Sequence, residues 1–172
     1  MKTLRCALLL AALTLAGCQL QSASPGDGSA LTPAAAAQVD TGVRALMQTV
    51  AHDVTQDGPS AWRRHFADSP AFFMAVNGSM AFPDSAAATR GIQAAAQAIK
   101  HIELVWGSDL RVDPLTPQLA VVATSWREVQ VNAAGKRVDE SGFFTGVAEY
   151  RDGRWQLRDA HWSAPVAAGA AQ

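Results

Sequence analysis

The stretch GFFTGVAEYRDGRWQLRDAHWS, residues 142–163, constrains the fold more than any other part of the chain. Asp152-Gly153 reads as a two-residue hairpin turn, because such turns need positive φ, which Gly takes freely and Asp tolerates. The residues on either side alternate with period two, so two antiparallel strands are predicted. In the second, Trp155, Leu157, Asp159, His161 and Ser163 share one face, and Gln156, Arg158, Ala160 and Trp162 share the other. The first face runs from apolar to polar, the gradient of a pocket wall from floor to mouth. In the first strand, Arg137, Asp139 and Glu149 mark a solvent-facing parity. Glu140, Gly142, Phe144, Gly146, Ala148 and Tyr150 are left on the other side, where two glycines leave room and permit a bend.

The chain opens differently. Lys2 and Arg5 precede the apolar run from Ala7 to Ala16, and small residues follow, which is the order of an export signal. The run is shorter than the ~20 apolar residues a membrane-spanning helix needs. Its end, Leu15-Ala16-Gly17-Cys18, resembles the lipobox of bacterial lipoproteins, which implies cleavage after residue 17 and lipidation at Cys18. Gln19 after the cysteine implies sorting to the outer membrane, so the expected address is its periplasmic face.

Removing the signal takes Cys6 with it, and acylation would occupy Cys18, leaving no thiol for a disulfide, a metal or a nucleophile. Twelve basic residues then stand against fifteen acidic ones, which gives no basic face for nucleic acid. Residues 18–32 are Ser-, Gly-, Ala- and Gln-rich and read as a tether. Residues 33–164 make one domain by size, and 165–172 a short tail.

Thr32-Pro33 is a helix start, with Thr as N-cap and Pro where a missing N–H costs nothing. Val39, Val43, Leu46, Met47, Val50 and Val54 form one apolar stripe. After Asp57-Gly58-Pro59, a short second helix places Trp62 and Phe66 on one face, with His65 beside them. Phe72, Phe73, Met74 and Val76 lead into Asn77-Gly78, a strong hairpin signal. Asp84 caps a third helix with a stripe of Ala88, Ile92, Ala95, Ala96 and Ile99. From His101 onward only strands are expected: His101 to Val112, a turn over residues 113–117, Gln118 to Val131, and the closing hairpin. The fold class is α+β, with three helices packed on a curved, mixed or antiparallel sheet of about six strands.

This order of elements, with Trp62 and Phe66, the hairpin before the third helix, and Asp152-Gly153-Arg154-Trp155-Gln156-Leu157 running into His161-Trp162-Ser163, resembles the NTF2-like superfamily, in particular its SnoaL-like and DUF4440-type members. The resemblance implies a conical cavity enclosed by the sheet, frequent dimers through the sheet, and uses that range from isomerase or cyclase to ligand binding or assembly.

Within that frame His161 is the candidate base on the final strand, with Asp159 two residues back, and the alternative for His161 is a satisfied, partly buried histidine. Glu128 shares parity with Thr124 and Trp126 while Arg127 faces solvent, so it is a second candidate. If buried, its ionised form is disfavoured and its pKa rises, as a base working near neutral pH requires; a strand-end Glu paired at the surface is the alternative, and Glu140 is equally ambiguous. Trp62, Phe66, Phe72, Met74, Trp106, Trp126, Phe144, Tyr150 and Trp155 are the candidate ligand-binding residues, to the extent that core packing leaves a cavity. His52, His65, His101 and His161 lack metal-ligand spacing, no phosphate loop or nucleophile elbow is present, and no cofactor is expected. The expectation is an envelope lipoprotein, homodimeric, that binds a small apolar molecule. An isomerase-, dehydratase- or hydrolase-type enzyme using His161 with Asp159 or Glu128 is the second reading, and a periplasmic assembly module the third.

Overall fold

The computed structural model describes residues 31–165. The expected signal peptide, Cys18 and most of the tether and tail lie outside the described residues. Helix α1 (Pro33–Asp57) starts as its sequence dictates: the Thr32 hydroxyl accepts from the Ala35 amide at 3.2 Å, and Pro33 occupies the first turn. Its stripe of Val39, Val43, Leu46, Met47, Val50 and Val54 is buried along its length. At roughly 1.5–3 kcal/mol for each such side chain, this stripe is what fixes the helix to the sheet. Gly58 turns the chain into a 3₁₀ turn, Pro59–Ala61, and the single-turn helix α2 (Trp62–His65). Trp62 and Phe66 stack at 5.4 Å as their spacing predicts. Helix α3 (Ser85–Ala98) is capped by Asp84, whose carboxylate accepts from the Ala87 amide at 2.7 Å.

Seven strands form one curved, unclosed mixed sheet: β1 (Phe73–Val76), β2 (Ser79–Phe82), β3 (Ile99–Trp106), β4 (Arg111–Thr116), β5 (Leu119–Asn132), β6 (Arg137–Arg151) and β7 (Arg154–Ser163). Their order is β2-β1-β7-β6-β5-β3, with β4 also paired to β5. Two tight turns fall where the sequence puts them. Asn77-Gly78 joins β1 to β2 with φ of 48° and 80°, and Asp152-Gly153 joins β6 to β7 with 52° and 79°. All four angles are positive, which a turn matched to strand twist demands.

Three details depart from the sequence reading. The expected strand from His101 to Val112 is two strands, because Asp109 breaks it: its carboxylate accepts from the Ser125 amide at 3.0 Å and the Ser125 hydroxyl at 2.8 Å, pinning a corner beside Gly107. Residues 113–116, expected as a turn, continue β4. Ile99 starts β3 instead of ending α3. The sheet therefore has seven strands, and its β1–β7 pair is parallel.

The decisive irregularity is in β7. Val147 pairs with Asp159 and Ala148 with Leu157, so Arg158 is an extra residue opposite neither. A bulge of this kind reverses side-chain parity for everything beyond it. Leu157 is buried on the helix-covered face, and past the bulge Ala160 and Trp162 take over that face.

Candidate functional site

A cavity of about 280 Å³ lies between the sheet and helices α2 and α3. Trp62, Phe66, Met74, Val76, Phe82, Ile92, Ile99, Ile102, Trp126 and Trp162 supply apolar wall, with Gly91 and Ala95 of α3 completing the roof. Gly91 is needed there: a Cβ at that position would collide with the Phe82 ring. Trp162 organises the aromatic wall, since its ring meets Trp62 edge-on at 5.5 Å and Trp126 edge-on at 5.3 Å, and packs on Trp106 and Phe144 at 5.4 and 4.9 Å. Such pairs add about 0.5–1.5 kcal/mol each beyond area burial.

Against these walls stands a polar group of Glu128, Gln130 and Glu140, with Asn77 also on the lining, where its side-chain oxygen accepts from the Ala164 amide at 2.7 Å. The inward parity of β5 carries Thr124, Trp126, Glu128 and Gln130 to one side, while Arg127 points out and pairs with Asp139. Gln130 donates its amide to the Glu128 carboxyl. Glu140 sits directly opposite Glu128 across the β5–β6 ladder, where like charges repel. Burial raises the Glu128 pKa above the usual carboxylate value, the Gln130 hydrogen bond works against that rise, and the charge of Glu140 adds to it. The indole N–H of Trp126 is buried without a hydrogen-bond acceptor among the described residues. The arrangement can hold an apolar body and place one polar group of it against a carboxyl that readily accepts and releases a proton.

Of the candidate residues, the cavity brings together Glu128 with Trp62, Phe66, Met74 and Trp126. His161 and Asp159 are placed elsewhere, a correction to the expected parity. They pair with Ala75 and Phe73 of β1 and with Thr145 and Val147 of β6, on the sheet face turned away from the helices. His161 is exposed there. Asp159 is partly covered, and burial raises its pKa against the opposing charge of Arg158, with Glu149 adding to the rise. The expectation failed because strict period two was carried across the Arg158 bulge.

Five expected ligand contacts are also corrected. Phe72 and Phe144 are fully buried in the core. Trp106 packs beside Trp162 and donates its indole N–H to the Met47 carbonyl at 2.8 Å. Tyr150 and Trp155 meet edge-on at 5.5 Å near the Asp152-Gly153 turn, with Trp155 closing over Gly42 of α1. The cavity residues that the sequence reading missed include Trp162, Phe82, Gln130 and Asn77, and the aliphatic wall of Val76, Ile92, Ile99 and Ile102. Gln130 was available from the same parity that singled out Glu128.

Outside the cavity, His65 is buried with its Nε2 3.0 Å from Asp53. Burial outweighs that carboxylate and lowers the imidazole pKa, so the ring ties α2 to α1 as a neutral partner. Among the described residues no three His, Cys, Asp or Glu side chains converge as metal ligands.

No protein-family model matches the chain, and no curated protein matches it in sequence. Solved structures do match. An NTF2-like superfamily protein from Salmonella enterica serovar Typhimurium superposes with a TM-score of 0.66 at 13% identity, covering 79% of this chain and 97% of its own. A putative scytalone dehydratase from Novosphingobium aromaticivorans gives 0.63 at 12%, covering 74% and 84%. A type 2 hexachlorocyclohexane dehydrochlorinase, LinA, gives 0.59 at 10%, covering 73% and 84%. At such identities the likeness speaks to architecture, and together with the three helices on a curved seven-stranded sheet it establishes that this chain has the NTF2-like fold.

Proposed function

We propose that the protein binds a small, largely apolar molecule in this cavity, and does so in the bacterial envelope as an outer-membrane lipoprotein anchored at Cys18. The observation that carries the binding reading is an aromatic-walled cavity of about 280 Å³ whose lining also holds the adjoining Glu128, Gln130 and Glu140. Its size is near the lower end of small-molecule sites, about 300–1,000 Å³. Native mass spectrometry of the protein purified gently from its host, compared with the denatured mass, tests it. A discrete mass lost on denaturation is the expected result, and protein that neither carries nor takes up any apolar molecule would sink the reading. Anchoring rests on Leu15-Ala16-Gly17-Cys18 closing an export signal. Metabolic labelling with palmitate should mark the parent and leave a Cys18→Ser variant unlabelled.

A second reading, acid–base catalysis at the same site, is favoured by Glu128, a carboxyl on the cavity wall whose pKa burial raises, the direction a general base requires. The named likenesses to a dehydratase and a dehydrochlorinase agree with that class. It predicts that Glu128→Gln keeps ligand binding and abolishes turnover. We also propose a homodimer through the outer sheet face, where Phe73, Val105 and Phe143 are 40, 49 and 44% exposed.

A further inference from the structure

The charge inventory of the cavity narrows the ligand. Among the described residues its ionisable lining groups are Glu128 and Glu140, both acids, with no Lys, Arg or His. The neighbouring elements add none among the described residues: on the cavity wall α3 contributes Gly91, Ile92 and Ala95 and β3 contributes Ile99 and Ile102, and Leu104 of β3 lies opposite Glu128 in the ladder. Gln130, the remaining polar neighbour on the same strand, already gives its amide to Glu128. An anionic ligand would bring a further negative group beside two carboxyls, with no cation among the described lining residues to offset it. A neutral ligand leaves the opposed pair of acids as it is.

A cation changes the balance. It relieves the repulsion between Glu128 and Glu140, and it finds aromatic faces nearby in Trp62, Phe66, Phe82, Trp126 and Trp162. An ammonium over an indole or phenyl face is attracted by the negative face of the ring, the more so as it is desolvated. Glu140 is exposed and Glu128 only partly so, so the charged head would keep part of its hydration at the cavity mouth while the apolar body enters the aromatic wall.

Building on the ligand-binding reading of this cavity, we infer that the ligand is an amine: a primary or secondary ammonium group on a small apolar body, held between Glu128 and Glu140. The proton balance follows from the site. Burial and the charge of Glu140 shift Glu128 toward its protonated form, whereas an ammonium shifts it toward the carboxylate, so the fraction of Glu128 that is protonated in the empty cavity gives its proton to solvent on binding. Amine affinity therefore rises with pH through the titration of Glu128 and falls again only when the amine itself loses its proton near pH 10.

The test uses three probes of one shape, 2-phenylethylamine, 2-phenylethanol and phenylacetate, titrated into the full-length protein and followed by tryptophan fluorescence and calorimetry. The amine is expected to bind at least about tenfold more tightly than the alcohol, the worth of one such ionic or cation–π contact, with phenylacetate weakest. The preference should grow as pH rises through the titration of Glu128, whose pKa burial raises. It should disappear in Glu128→Gln and shrink in Glu140→Gln, while alcohol binding persists in both. Alcohol or phenylacetate binding as tightly as the amine would overturn the amine inference and leave the cavity reading standing. Failure of all three to bind at millimolar concentration would overturn both. Unaltered melting curves for the two isosteric variants separate loss of recognition from loss of fold.

Discussion

At Glu128 a single side chain sets folding against chemistry. Its carboxyl faces the cavity, and burial raises its pKa in the folded state above that of the unfolded chain. A carboxyl shifted in this direction gives its full stability below the unfolded pKa, and that stability is lost as pH rises through the folded pKa. The ionised Glu128 is therefore a burden near neutral pH. Replacing it by Gln keeps the shape and removes the ionisation. Glu128→Gln should accordingly melt at a higher temperature than the parent at about pH 7, and the advantage should shrink toward about pH 4, where both side chains are neutral. Thermal melts across that range check it. A variant less stable than the parent at neutral pH would mean that the Gln130 hydrogen bond outweighs the burial of charge. A carboxyl that faces a cavity at a cost to stability is a functional candidate by physical reasoning.

Among the elements, β7 does the most to decide what the cavity contains. Its Trp162 touches Trp62 of α2, Trp106 of β3, Trp126 of β5 and Phe144 of β6, so one ring ties four elements to the final strand. Trp162→Ala should cost about 3–5 kcal/mol of stability and disturb the fluorescence of the remaining indoles, measurable by chemical denaturation. Helix α1, the three caps and turns at Thr32, Asn77-Gly78 and Asp152-Gly153, and the inward parity of Glu128 were all legible in the sequence. Each is set by local chemistry: a hydroxyl three residues from an amide, a positive φ, an unbroken alternation. The pocket residues of β7 were not legible, because a bulge leaves no mark in hydrophobic pattern when the residues on either side are mixed. Arg158 sits between Leu157 and Asp159, and either parity reads as a plausible strand until the partner strand supplies the register. The corner at Asp109 was hidden for a related reason, since its acceptor role depends on Ser125, sixteen residues away.

For the whole molecule, the two faces of the sheet have separate duties. The inner face meets the helices and encloses the cavity; the outer face presents Phe73, Val105 and Phe143 to solvent together with His161 and the partly covered Asp159. If that outer face pairs two copies, Phe143→Glu should shift the protein from dimer to monomer in sedimentation velocity without altering ligand binding, because the two faces share no side chain. A parent that sediments as a monomer at micromolar concentration would dispose of the pairing. The bulge at Arg158 gives this division a further meaning. A strand register that pivots on one residue sets the contents of both faces. Were Arg158 to take a ladder position opposite Val147, Asp159 would fall opposite Gly146, and Trp162 would turn outward as His161 and Asp159 turned inward; deletion of Arg158 would instead make the present pairs consecutive and leave every side chain on its present face. The indole wall of the pocket thus survives loss of the residue that creates the irregularity and depends only on that residue staying out of the count.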